Sequence, residues 1–456
     1  MVSANLDSIK VVPIAKELVT CDEELSRGAI AEEVSLEMWG PLRVLLLALL
    51  MAHPTKSRAD SPLSALGLAK ECFRRARIDP HMNIDAIHVP DDLDDHRREI
   101  WTVTEPLRDM PYHTHSNYSG PWIENWWINE FKDTPTEQFG GLVPVFAQWV
   151  DSTAMCQKGK LCNRERNLSK RKEVIRALTR IMRPDVAYIT VVQHASGFFM
   201  GVDLKGSARR KLTNLLILSS GGVGHIPIPL MKQPHHLEFS NSATPARALT
   251  CFGSIDQSKP LRQALYDELK ALPPRYENTV RWYYGAQWVR ELTNSTFAMI
   301  PRGYGRTAFS LYEVIQMGFL PVYVWDDVEW LPYRGSSRAD FERFGLSMRI
   351  GGLQKTMDNI TALRKDAKEL AKRRLVVREL AQSHFSYEGI MSQISRLFAN
   401  GTDPTFGTDL RCTRESEIFT IGWNSRLQKT DPNLSLKLRR RRAPAAPAAA
   451  GGNFGL

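Results

Sequence analysis

The chain has 456 residues, of which 43% are apolar, 24% charged and 9% aromatic. That length calls for more than one domain, and that composition excludes both wholesale disorder and a polytopic membrane protein. The net charge is +10, but Lys437 and Arg439 to Arg442 supply five positive charges in a Pro/Ala/Gly-rich tail, so the remaining excess fits an anionic ligand in a cleft as well as it fits nucleic acid.

Residues 1–60 read as a leader. Val44 to Ala52 is a short apolar run, too short to span a bilayer of ~30 Å but the length of a signal-peptide core. Met38 opens Met-Trp-Gly-Pro-Leu-Arg just before it, so a start at Met38 would leave an ordinary signal or anchor at about 42–52 with Arg43 as its basic flank. The competing reading is a buried core helix. Six Asn-x-Ser/Thr sites, at Asn117, Asn167, Asn294, Asn359, Asn400 and Asn433, point the same way as the signal. Six cysteines show no zinc spacing. Cys156 and Cys162 are close enough in sequence to bridge a loop, and buried or free thiols are the plainest reading of the set.

Residues 61–240 read as a first α/β domain. Asp91-Asp92-Leu93-Asp94-Asp95 has no apolar strand before it and is expected to be a solvated loop, not a metal site. Leu142 to Phe146 is a short strand, Lys170 to Met182 an amphipathic helix, and Val186 to Val192 and Asn214 to Leu218 are runs of the kind that a strand buried on both faces requires. Tyr112 to Tyr118, then Trp122, Trp126, Trp127 and Phe131, form an aromatic-rich stretch. It suits either sugar stacking or, at its helical spacing, core packing. The Pro/His/Ser-rich stretch 225–248 has no periodicity and reads as the interdomain connection.

A second alternating block, residues 245–400, places strands at Leu249–Phe252, Thr296–Ile300 and Leu320–Trp325. Its helices fall at Arg262–Leu272, Ala308–Met317, about 355–381 and 387–398. Strands alternating with helices imply α/β layers with mainly parallel sheets. Residues 401–456 read as an irregular tail, disordered at its basic end.

Residues 295–333 carry the most chemistry. A buried strand runs into a turn holding Gly303 and Gly305, then a short helix that stops at Gly318, then another buried strand. Thr307 suits an N-cap, and helix amides flanked by Arg302 and Arg306 suit a diphosphate. Glu313, one turn further on, shares a face with Phe309 and Gln316 and suits a ribose. Gly303-x-Gly305-x-x-Ala308 also reads as a dinucleotide fingerprint, with Asp326 or Asp327 about 20 residues on. An NAD(P)-dependent oxidoreductase is therefore the competing reading. Arg302 would crowd that fingerprint's tight turn, and the motif lies behind a complete α/β block.

Pro301-Arg302-Gly303-Tyr304-Gly305, Thr307, Phe309, Glu313, Gly318-Phe319-Leu320-Pro321-Val322, Asp326-Asp327 and Leu331-Pro332-Tyr333 together resemble the C-terminal signature of the exostosin-like glycosyltransferases. Phe252-Gly253-Ser254 with Arg262, and Ile226-Pro227-Ile228-Pro229, resemble that family's upstream segments. The resemblance is strong over about 245–335 and fair over 185–245. It implies two facing Rossmann-like domains of the glycosyltransferase-B type. It also implies inverting transfer from a nucleotide-diphospho-sugar, a UDP-sugar in most members, to a glycan or glycoprotein acceptor in the secretory pathway, with the Golgi as the expected address. By carry-over Glu313 binds the ribose, Arg302 and Arg306 the diphosphate, Thr307 with the amides of Gly303 and Gly305 completes the cradle, and Arg262 serves the donor. Members often work in pairs, which implies a homo- or hetero-oligomer with a related transferase. No nucleic acid partner is expected.

Inversion needs a base on the acceptor side and charge stabilisation at the leaving diphosphate. His194, following the Val186–Val192 strand, is the first candidate for the base, with Asp203 and His225 in reserve. With arginines available for the leaving group and no Asp-x-Asp at a strand end of the first block, no metal ligands are assigned. No cofactor is expected to be required, with divalent metal at most stimulatory.

Overall fold

The computed structural model describes residues 63–76, 79, 81–112, 118–153, 164–195, 197–198, 212–232, 245, 247–255, 260–402 and 407–413. The Val44–Ala52 run, Cys156, Cys162, Asp203, Asn117, Asn433 and the basic tail lie outside them. Among the described residues no helix is long and apolar enough to cross a membrane.

The chain is α/β, built on two parallel sheets. Helices α1 (Ala65–Ala76), α2 (Leu93–Thr104) and α3 (Ile123–Phe131) precede strand β1 (Val143–Pro144). Helix α4 (Arg164–Ile181) and strands β2 (Tyr188–Val192), β3 (Leu215–Ser219) and β4 (Ile226–Pro227) complete the first layer, with all strands parallel in the order β1-β2-β3-β4. Alternation along β2 and β3 feeds two cores, as a strand with period two between helix layers must. Ile189, Val191, Leu216 and Leu218 face α1 and α3, while Tyr188, Val192, Leu215 and Ile217 face α4 and its Val174, Ile175 and Leu178.

Two expectations change here. The aspartate run is a loop only in its first half: Asp91 and Asp92 form an exposed turn, while Asp94 and Asp95 occupy the first turn of α2, where carboxylates favour the positive end of the helix. Ile226-Pro227 is an edge strand and not part of a linker, and proline is tolerated at an edge because its missing N–H faces no partner.

The second sheet contains β5 (Arg247–Phe252), β6 (Val280–Tyr283), β7 (Ser295–Pro301), β8 (Leu320–Trp325) and β9 (Leu346–Arg349), all parallel in the order β6-β5-β7-β8-β9. Helices α5 (Pro260–Lys270), α6 (Trp288–Thr293) and α7 (Phe309–Gln316) connect the strands. The chain leaves β5 towards β6 and returns past β5 to β7, so the winding direction reverses between β5 and β7. Such a switch point opens a crevice beyond the strand C-termini.

The single helix expected at 355–381 is two, α8 (Leu353–Lys365) and α9 (Ala367–Ser383). Asp366 breaks it by capping α9 with a carboxylate that accepts from the Glu369 amide at 2.9 Å. Helix α10 (Tyr387–Asn400) packs back on the first half: Trp126 of α3 stacks on Tyr387 at 5.1 Å, and Phe398 meets Trp127, Phe131 and Phe139.

Residues 407–413 are irregular, as expected, and most of them, 407–410 and Cys412, are buried. Asp409 is held by His384 at 2.9 Å, Arg338 at 3.0 Å and the Ser336 hydroxyl, and these partners hold its carboxyl down at about 2 although burial alone would raise it. The Thr413 amide donates to the His225 carbonyl at 2.8 Å, and Cys412 is disulfide-bonded to Cys72 of α1. The free-thiol reading fails for this pair because the fold closes 340 residues of separation; Cys251 is free and buried.

Candidate functional site

The loop after β7 is built on its own backbone. The Arg302 amide donates to the Val324 carbonyl at 3.0 Å, and the Gly303 amide closes the turn onto the Thr307 carbonyl at 2.9 Å. That amide is therefore already used. Helix α7 begins at Phe309 with Ala308 as its N-cap, and Ala308 makes no side-chain cap bond. Thr307 is not the cap: it is buried, and its hydroxyl donates to the Tyr312 hydroxyl at 3.3 Å.

Both arginines are paired. Arg302 grips Asp326 through Nε and through Nη2 at 2.9 Å, and its Nη1 reaches the Gly305 carbonyl at 3.2 Å. Burial opposes the Arg302 charge, but these bonds more than offset it and raise its pKa. Arg306 is 5% exposed; its Nε meets Asp327 at 3.0 Å and its Nη1 donates to the Gly222 carbonyl at 2.6 Å. Burial would raise the Asp327 carboxyl, yet Arg306 and Arg302 hold it below its ordinary value. Asp326 and Asp327 are thus the partners of the loop arginines. Arg302 and Asp326 follow directly on the neighbouring parallel strands β7 and β8, a register that the structure sets.

The Gly222 carbonyl belongs to the first sheet. The loop after β3 and the loop after β7 touch, and glycines make that approach possible. A Cβ on Gly305 would sit 2.4 Å from the Gly221 carbonyl oxygen and 2.8 Å from the Ala195 Cβ, and one on Gly221 would sit 2.3 Å from the His194 oxygen. Gly222, at φ +113°, lies where side chains are strained and where a Cβ would strike Arg306 at 2.6 Å. Trp330, beyond β8, donates its indole N–H to the Ser219 carbonyl at 3.2 Å. The C-terminal ends of the two sheets therefore face one another.

His194 stands at this seam, half-buried, on the loop that follows β2; the Gly197 amide donates to its carbonyl at 2.9 Å. His225 stands elsewhere. It is 2% exposed, its Nδ1 accepts from the Ile217 amide at 3.0 Å, and burial pulls its pKa to about 3, so it is a neutral part of the core.

Glu313 is buried and lies 3.6 Å from Lys232, a partner on the segment after β4 that the sequence reading did not name. Phe309, one turn earlier on the same face, meets the Trp122 ring at 6.2 Å, so this face of α7 looks towards the first half. Arg262 of α5 lies against the loop after β5, 3.2 Å from the Ser254 hydroxyl. Trp122, Trp127 and Phe131 are core residues, which decides the aromatic stretch there in favour of packing. Among the described residues no group of three or more His, Cys, Asp or Glu side chains is arranged to hold a metal ion.

No family model and no curated protein matches the chain. Among solved structures it is similar to TarM, at 12% identity over 54% of this chain and 47% of that one, with a TM-score of 0.30. It is also similar to Anabaena Alr3699/HepE in complex with UDP, at 12% identity over 51% of this chain and 68% of that one, with a TM-score of 0.29. The chain spans about half the length of TarM. Neither likeness is close enough to define the fold, which rests on the strand orders and registers above.

Proposed function

We propose that this chain is a glycosyltransferase that moves a sugar from a nucleotide-diphospho-sugar, a UDP-sugar, to a hydroxyl of a glycan or glycoprotein with inversion, and that it is exostosin-like. The observation that carries the reading is the seam. Two parallel sheets present their C-terminal ends to each other, and the winding of the second reverses beside β5, with Arg262 against the loop after β5, Arg302 and Arg306 on the loop after β7, and the Glu313 face of α7 turned towards the first half. In this reading the diphosphate replaces Asp326 and Asp327 as the partner of the arginines, Glu313 accepts from the ribose hydroxyls, and His194 takes the proton of the acceptor hydroxyl. Divalent metal is at most stimulatory. The Cys72–Cys412 disulfide and the exposed sites at Asn294 and Asn359 support a secretory address, the Golgi, because disulfides persist in oxidising compartments. A related transferase is the proposed partner subunit.

The test is calorimetric titration with UDP, GDP and NADPH, followed by a donor-hydrolysis screen over nucleotide sugars. Binding of UDP and release of UDP from one donor are the expected results. NADPH binding without UDP binding would replace this reading by the oxidoreductase. Expression in a secretory host followed by endoglycosidase digestion should shift the mass; an unglycosylated product would overturn the address.

A further inference from the structure

A second polar cluster lies in the first half, and the reading above gives it no part. Glu124, in the first turn of α3, is fully buried. One of its oxygens accepts from the Val150 amide at 2.6 Å and the other from the Gln193 amide at 2.8 Å. Val150 follows β1 and Gln193 follows β2, so a single carboxylate bridges two strand-end loops. Gln193 answers in kind: its side-chain carbonyl accepts from the Ile123 amide at 3.1 Å, at the start of α3. Arg171 of α4, also fully buried, ties the same two loops from the other side, donating to the Trp149 and Phe198 carbonyls and to the Ser152 hydroxyl at 2.9 Å. The residue after Gln193 is His194, and the residue two before Glu124 is Trp122, which meets Phe309 across the seam.

An arrangement like this is costly. Burial pushes the Glu124 carboxyl up to about 8 against the pull of the two amides and Arg171, and it pulls Arg171 down to about 10. An apolar side chain at 124 would remove the acceptor that the buried Val150 and Gln193 amides share, so what the carboxyl supplies is a tie between the two loops.

We propose that Glu124 is a positioning residue: by accepting both amides it locks the loops after β1 and β2 together and fixes His194 at the cleft. The proposal rests on the glycosyltransferase reading for His194's role, but the lock itself does not. Hydrogen exchange on the full chain tests the lock directly. The Val150 and Gln193 amides should exchange as slowly as those of β2 and β3, and at least tenfold faster in Glu124→Gln, whose amide nitrogen cannot accept. Exchange of these two amides at ordinary loop rates in the unmodified chain would overturn the proposal without any variant. Kinetics then test the consequence. Glu124→Gln should lower kcat for transfer at least tenfold and leave UDP affinity within twofold, with Glu124→Asp intermediate. Unchanged kcat, or a loss of UDP affinity in parallel, would overturn the positioning role. Failure of the unmodified chain to bind any nucleotide would instead sink the glycosyltransferase reading and leave the lock to be judged by exchange.

Discussion

The two halves of the cleft hold charge in opposite ways. On the first half, Glu124 and Arg171 are sealed inside and bonded mainly to backbone groups, with the Arg171 Nε left without a hydrogen-bond partner, and solvent does not reach them. On the second, Arg302 and Arg306 are paired with Asp326 and Asp327, whose side chains remain about a third exposed, at 29% and 33%. A buried lock suits a surface that must hold still. A pair of exposed-rim carboxylates suits one that must trade partners, because an incoming anion can offer a guanidinium the same fork-shaped acceptor. The lesson is that perturbed or paired charges do not mean one thing: what they do depends on whether a ligand can reach them.

If the halves differ in this way, variants should separate stability from binding. The largest effect belongs to the strap that joins them. Reduction of Cys72–Cys412, or Cys412→Ser, should cost about 3–5 kcal/mol in urea unfolding, because the bridge closes a very long loop. A loss below about 1 kcal/mol would mean that α10 and residues 407–413 hold without it.

Next is acid. The folded-state pKa of His225, about 3, lies below its ordinary 6.5, so the unfolded chain takes up the proton first. Stability is therefore full above about pH 6.5 and falls as pH drops towards 3, by about 4 kcal/mol in all. His225→Asn keeps an acceptor for the Ile217 amide and cannot titrate, so it should flatten urea midpoints across that window. Equal slopes for variant and parent would remove His225 as the cause.

Arg306→Ala should come third, at about 2–4 kcal/mol of stability, since it strips the Gly222 carbonyl and Asp327 of a buried donor. Arg302→Ala, on the more exposed pair, should instead show mainly in binding: about 1.5–3 kcal/mol less affinity for UDP and little change for uridine. If Arg306→Ala leaves melting untouched, or if Arg302→Ala weakens uridine and UDP alike, the contrast between an arginine that also holds the seam and one that serves the diphosphate alone fails.

The smallest effect is expected at Glu313. Glu313→Gln should weaken UDP by about 1–2 kcal/mol and abolish its advantage over a 2′,3′-dideoxy analogue. Persistence of that advantage with a lower melting temperature would make the Lys232 pair purely structural.

Some of this was legible without coordinates. Strands β2, β3, β5, β7 and β8 were readable because helices cover both faces of a parallel sheet and leave only apolar positions to see. Strands β6 and β9 were missed: only one of their residues, Met348, is buried, and Arg281 and Arg349 break the run. Helix α3 was legible in the helical spacing of Trp122, Trp126 and Phe131, which favoured core packing over a sugar-binding surface. The glycine loop, its arginines and Glu313 stood out because a short local stretch contains them all.

What the sequence determined by itself was local: periodicity, breakers, and the residue types gathered between 295 and 333. What only the tertiary structure decided was every relation across distance. Cys72 finds Cys412, Arg306 finds Gly222, Lys232 finds Glu313, and Glu124 finds two amides on separate strand ends. Hydrogen bonds and ion pairs act over a few ångströms, and the backbone amide that satisfies a buried carboxylate carries no side-chain signature. Which amide that will be depends on how the layers stack, and the stacking is set by the whole core at once.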